Sequence, residues 1–174
     1  MITDALLRLS GTQGPPAVPQ DLGAMTFGTL YYSTYYLDLQ GSTNASGGTT
    51  TAQIRDLGEG EELYAFVTIE TTIAQATGGT VVFECIVSDA TAGTGNALVI
   101  GSVVVPWVTG NPNLVAGTTF AIRINPQMAT VGQRYLQMRY SCTTTSTTAG
   151  KVFADIVTDI YDSKKFYASG FKVS

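Results

Sequence analysis

Between Leu63 and Ile160 the chain repeats one pattern: a short run of alternating apolar and polar side chains, closed by a cluster of Gly, Asn, Pro or Thr. Alternation with period two sends one side-chain set to each face of an extended strand, so every such run predicts a strand with one face buried. In Leu63–Glu70 the inward set is Leu63, Ala65, Val67 and Ile69, against Tyr64, Phe66, Thr68 and Glu70. Val81, Phe83, Cys85 and Val87 form the next inward set, with Glu84 and Ser88 facing out. Phe120, Ile122 and Ile124 alternate with Thr119, Ala121 and Arg123, and Leu136, Met138, Tyr140 and Cys142 with Gln137, Arg139 and Ser141. Val152, Ala154, Ile156 and Ile160 alternate with Phe153, Asp155 and Asp159. Residues 98–105 differ, being almost continuously β-branched and apolar. Such a run predicts a strand covered on both faces.

The punctuation between these runs is Thr77–Gly79, Thr91–Asn96, Gly110–Asn113 and Thr143–Gly150, residues that supply turn geometries which strands cannot. A seventh strand is expected around Ala52–Asp56 and an eighth within Thr29–Leu39. Only Ile2–Leu9 has helical spacing, enough for one short helix or none. Ser and Thr make up about a fifth of the chain, a usage that strands and turns tolerate better than helices. The expectation is an all-β protein, a jelly-roll or β-sandwich of about eight antiparallel strands with extended N- and C-terminal segments. Residues 1–174 are read as one domain, with 10–55 as a loop- and arm-rich region and 164–174 as a tail.

The chain has no histidine, which removes the commonest general base and transition-metal ligand. No G-x-S-x-G elbow and no Walker lysine occurs. The acidic run Asp56–Glu62 lacks the ligand spacing of a calcium loop and reads as a solvated turn. Asp155 and Asp159 share a strand face about 13 Å apart, too far for a glycosidase pair, and solvent or a partner fits them better. The expectation is no enzyme, no cofactor and no metal. A net charge of -4 argues against nucleic acid. No apolar run approaches the ~20 residues of a membrane span, and the acidic start is unlike a signal peptide. Cys85 and Cys142 are expected as small buried hydrophobes in strands, with a single Cys85–Cys142 bridge as the alternative.

Two segments stand out as contact surfaces. Tyr31, Tyr32, Tyr35 and Tyr36 lie within six positions, between Gly- and Thr-rich stretches. Tyrosine gives large contact area at low entropy cost. The cluster is either an aromatic edge strand on its own sheet or an arm laid against a neighbour, and its flanks suggest that it projects from or wraps the body. The tail places Phe166, Tyr167, Phe171 and Val173 beyond the last strand, with Lys164 and Lys165 ahead of them. An end so apolar should dock on its own body or on another subunit. Ile2, Leu6 and Arg8 complete the candidate contact residues, Arg8, Lys164 and Lys165 as charge partners and the others as apolar anchors.

The segments Met1–Ser10, Asp56–Tyr64, Arg134–Tyr140 and Tyr167–Phe171, in that order and spacing, resemble the capsid cement (decoration) proteins of tailed, podovirus-type bacteriophages. The resemblance covers both ends and most of residues 56–171, while residues 11–55 look like an insertion. It implies a jelly roll on the outer face of an icosahedral capsid, made in the bacterial host cytoplasm and often dimeric, whose partner is the phage major capsid protein. A carbohydrate- or receptor-binding jelly roll of a head fibre or tail is the rival reading, with Tyr31–Tyr36 as its platform. A metal-dependent cupin-like enzyme is a further rival, against which the missing histidines count.

Overall fold

Each alternating run from Leu63 to Val157 is a strand in the computed structural model, which describes residues 7–12, 16–39, 62–75, 78–106, 108, 112–125 and 133–158. In chain order the strands are β1 (Arg8–Ser10), β2 (Gln20–Asp21), β3 (Tyr31–Tyr32), β4 (Leu37–Asp38), β5 (Tyr64–Gln75), β6 (Thr80–Ser88), β7 (Leu98–Pro106), β8 (Thr119–Arg123), β9 (Tyr135–Cys142) and β10 (Thr147–Val157). Pro112–Leu114 forms a 3-10 turn. The strand expected at Ala52–Asp56 lies outside the described residues, as does most of Ile2–Leu9, whose last two residues belong to β1.

The strands form two antiparallel sheets, β1-β10-β5-β8 with β2 also on β10, and β3-β9-β6-β7 with β4 also on β9. β1 and β2 flank one side of β10 as a single interrupted strand, and β3 and β4 do the same along β9. Ten segments therefore fill eight positions. The first position pairs with the eighth, the second with the seventh, the third with the sixth and the fourth with the fifth. That is a long hairpin rolled into two facing sheets, the jelly roll.

This pairing corrects the reading of residues 10–55 as an insertion, because residues 20–38 complete the first position of the roll and supply the second. The first position is sewn to the second across the open side of the sandwich. Tyr35 N–H donates to Leu9 O at 2.8 Å, and the Gln20 amide both donates to Tyr32 O and accepts from Thr34 N–H. The expected turn Thr143–Gly150 is also shorter, since Thr147–Gly150 extend β10 along the end of β5 through several register shifts.

The inward sets meet as one apolar layer. Phe83 of the second sheet packs on Phe120 of the first at 5.3 Å and edge-on to Tyr140 at 5.9 Å, ordinary aromatic geometry. Leu9, Val67, Ile69, Ile122, Leu136, Met138, Val152 and Ala154 fill the same core. Cys85 and Cys142 are free thiols within it, as the first of the two readings had it, and burial pushes both pKa values up. Ser10 Oγ and the Tyr140 hydroxyl share a hydrogen bond across the layer at 2.5 Å.

Four expectations about exposure need correction. Ser88 is fully buried, because its hydroxyl donates to Gly95 O and accepts from Ala90 N–H under the β6–β7 loop. Phe66 is buried although the alternation sends it outward. Asp155 is 5% exposed, and its carboxylate accepts from Arg8 Nε at 2.9 Å. Residues 98–105 are not covered on both faces: β7 is an edge strand, with Leu98, Val99 and Val104 at 40%, 39% and 57% exposure.

Two outcomes follow from these buried polar contacts. Tyr140→Phe strands the Ser10 hydroxyl in the core and should cost about 1–2 kcal/mol in denaturant unfolding. The Asp155–Arg8 pair predicts a pH signature. Burial raises the Asp155 pKa against the opposing pull of Arg8, so the folded state holds that proton more tightly than the unfolded chain. Stability therefore falls as pH rises from the ordinary aspartate value through the raised one. Arg8→Met removes the opposing pull and should cost about 3 kcal/mol at neutral pH. Unfolding curves should show that deficit shrinking on acidification as Asp155 is protonated, and a deficit equal at all pH values would contradict it.

Candidate interaction surface

The tyrosine cluster is the edge strand of the two readings offered by the sequence. Tyr31 and Tyr32 pair with Tyr140 and Arg139 of β9, and all four rings are half-buried. The Tyr31 hydroxyl donates to Ala24 O at 2.8 Å and accepts from Thr26 N–H at 3.0 Å. Tyr36 stands edge-on to Tyr135 at 5.2 Å. Between them, Ser33 Oγ donates to Tyr35 O and accepts from Met138 N–H, which bridges the break between β3 and β4. The cluster does not project; the Gly- and Thr-rich flanks begin where it leaves β9.

Arg8 is likewise engaged inside the fold. Its guanidinium meets Asp155, donates to Thr12 O at 3.1 Å and lies 4.6 Å from the Phe153 ring centre. Ile2, Leu6, Lys164, Lys165, Phe166, Tyr167 and Phe171 fall outside the described residues, as does Asp159.

Other arginines are committed in the same way. Arg134 makes a two-pronged contact with the buried Asp38 at 2.7 and 2.5 Å, fixing β4 to the start of β9 and pushing the Arg134 pKa up. Arg139 pairs with Glu84 at 2.6 Å across β9 and β6, and Arg123 pairs with Glu62. Asp38, Glu62, Glu84 and Asp155 are thus each neutralised locally by an arginine. Among the described residues no three His, Cys, Asp or Glu side chains converge to hold a metal, and no helix is long and apolar enough to cross a membrane.

The outer face of the second sheet is only partly covered. The β6–β7 loop folds back over one end of it, where Gly93 lies against the Tyr32 ring and the Gln137 side chain. A Cβ has no room there, and φ of +72° favours glycine as well. Under this loop Ile86 and Gln137 are buried. Beyond the loop, Val104, Val82 and Ser141 form one register row across β7, β6 and β9, with Val104 exposed and the other two half-buried. A separate apolar tip, Phe27 and Leu30, is exposed in the turn between β2 and β3. The sequence missed β7 and this tip as contact surfaces because apolar residues are by default assigned inward. The absence of any charge from Leu98 to Pro106 beside a turn on either side is compatible with core and edge alike.

No curated protein shows a significant sequence match. The Bbp16 family model matches residues 32–156, from the second strand position of the roll through the core of β10. Since that is well over half of the chain, it belongs to the Bbp16 family, a phage-related family.

Proposed function

We propose that this chain is a structural virion protein that binds the outer surface of an icosahedral phage capsid and cements neighbouring major capsid subunits, with no enzymatic role. The observation that carries the reading is the phage-related family match, which runs through the sandwich itself rather than an appendage. The geometry supports it: Asp38, Glu62, Glu84 and Asp155 are each occupied by an arginine, while apolar side chains stand bare on β7 and at Phe27 and Leu30. Such a surface suits contact better than chemistry.

The mechanism is linkage. A protein that binds the assembled lattice and not its dissociated subunits stabilises the lattice by mass action. Many copies on one shell multiply modest contacts through avidity, and a twofold dimer would present the same patch from each subunit. The apolar tail, with Phe166, Tyr167 and Phe171 behind Lys164 and Lys165, is proposed to make part of the capsid contact, together with Ile2 and Leu6. A glycan-binding accessory role would need Tyr31–Tyr36 as an open platform, and their internal contacts disfavour it.

Purified protein mixed with undecorated heads should co-sediment to saturation and raise the temperature at which DNA escapes. Saturable hits on a glycan array without head binding would overturn the reading. Truncation of residues 166–174 should leave the thermal unfolding of the sandwich nearly unchanged and remove head protection. Normal decoration by the truncated chain would refute the tail's part in it.

A further inference from the structure

The turns of this sandwich divide by charge. Residues 22–37, 71–83, 98–122 and 140–150 contain no Asp, Glu, Lys or Arg. Strand pairing brings the turns within these four stretches to one end of the molecule. Gln75 pairs with Thr147, Val81 with Cys142 and Thr80 with Pro106, and Thr147 N–H donates to Met25 O. The described charged residues lie along the strands or at the opposite end, where Asp38, Glu62, Asp89, Arg123 and Arg134 gather. An ordinary soluble surface intersperses charges throughout, whereas the centre of a protein interface is depleted of them.

From this uncharged end one tip stands out. Thr29 N–H donates to Thr26 O at 3.1 Å and Gly28 has φ of +77°, a type II turn with Phe27 at its second position. Phe27 is 57% exposed and Leu30 46%, yet the turn that bears them is tied down. Phe27 N–H donates to Ser146 Oγ at 3.0 Å, and Thr26 N–H to the Tyr31 hydroxyl. Met25, fully buried below, has both its backbone groups bonded to Thr147. Val108 and Val115, in the connection from β7 to β8, are exposed as well.

We propose that this uncharged end is the face that meets the capsid, with Phe27 as an anchor that enters an apolar recess on the outer surface of the major capsid subunits. The inference rests on the proposed function for its partner, and adds the orientation of the sandwich and the residue that leads the contact. A ring fixed in place before contact loses little freedom on binding, and buried aromatic anchors are among the residues that dominate interfaces. Shape selects the partner. A protruding tip is complemented by a recess, whereas a second copy meeting it about an axis offers the same protrusion. A lipid surface would be drawn by Lys or Arg beside the tip, and these stretches carry none. Charge gives the same orientation. The chain carries a net charge of -4, and with its uncharged end on the shell the acidic groups stay in water, where salt screens the repulsion between neighbouring copies. β10 ends at Val157, at the charged end. Residues 159–174 could extend about 50 Å at ~3.3 Å each, enough for the tail contact proposed above to reach the same shell as a separate strap.

Co-sedimentation of the full chain with undecorated heads, over a concentration series, tests this. Phe27→Ser should raise the apparent dissociation constant for heads roughly tenfold or more. Thr29→Lys should do the same, because an ammonium beside the anchor must be desolvated on contact. Thr94→Lys places that charge on the exposed loop between β6 and β7, at the opposite end, and should leave head binding unchanged. All three positions are exposed, so thermal unfolding of the free variants should match the wild type. A photoactivatable cross-linker on Thr29→Cys should join the major capsid protein while one on Thr94→Cys does not, the native thiols being buried. Wild type that coats heads while Phe27→Ser and Thr29→Lys coat them as tightly overturns this face and leaves cementing standing. Cross-linking from Thr29→Cys only to other copies of this chain, or equally from both positions to the capsid protein, also overturns it. Wild type that ignores heads overturns cementing, and this face with it.

Discussion

Two sheets that are apolar on one side each have one way to leave water, which is to face one another, and the remaining features of this molecule follow from how that contact is closed. The inner faces meet around Phe83, Phe120 and Tyr140. Burial of apolar surface at roughly 25 cal/mol per Å² supplies the drive. It does not choose a topology, because any pairing that keeps the inward sets inward satisfies it. The choice is made by contacts that join strands far apart in sequence: Ser10 to Tyr140 across the core, Arg8 to Asp155 between the first and last strands, Asp38 to Arg134 beside them. These are the costly groups to bury alone, so only the arrangement that pairs all of them is stable.

The same division explains what could be read from the sequence. Alternation is a local property, and it found β5, β6, β8, β9 and β10 with their inward faces. β3 and β4 fall within the strand expected at Thr29–Leu39, but like β1 and β2 they are two or three residues long, too short for any period, and all four pair along β9 and β10. A strand held by its neighbour leaves little trace in its own composition. Tyr31 and Tyr32 drew attention as a recognition cluster for that reason, yet their backbone completes β9 and the Tyr31 ring closes onto Ala24 and Thr26. Asp155 was misplaced because period two says which face a residue takes and nothing about what lies over that face.

Residues 98–105 show the converse limit. A run of β-branched residues specifies extended backbone through χ1 stiffness and packing on a pleated surface, and an interior strand and a bare edge strand look alike by that criterion. What separates them is the order of strands in the sheet, which depends on the whole roll. The run follows the loop that covers Ile86 and Gln137 and ends at Pro106, where a ladder that needs an N–H must stop.

Two borders of the sandwich are closed differently. The side where chain segments 8–39 cross between sheets is sewn with hydrogen bonds and ion pairs, each using up a group that could have met a partner. The β7 side closes at Ile100 and Gly101 and then stops, leaving backbone groups and Val104 toward solvent. A protein that needed only to fold would gain solubility from a lysine at that border and lose no core contact, because Val104 points away from the core. Retaining valine there is a cost to the isolated chain.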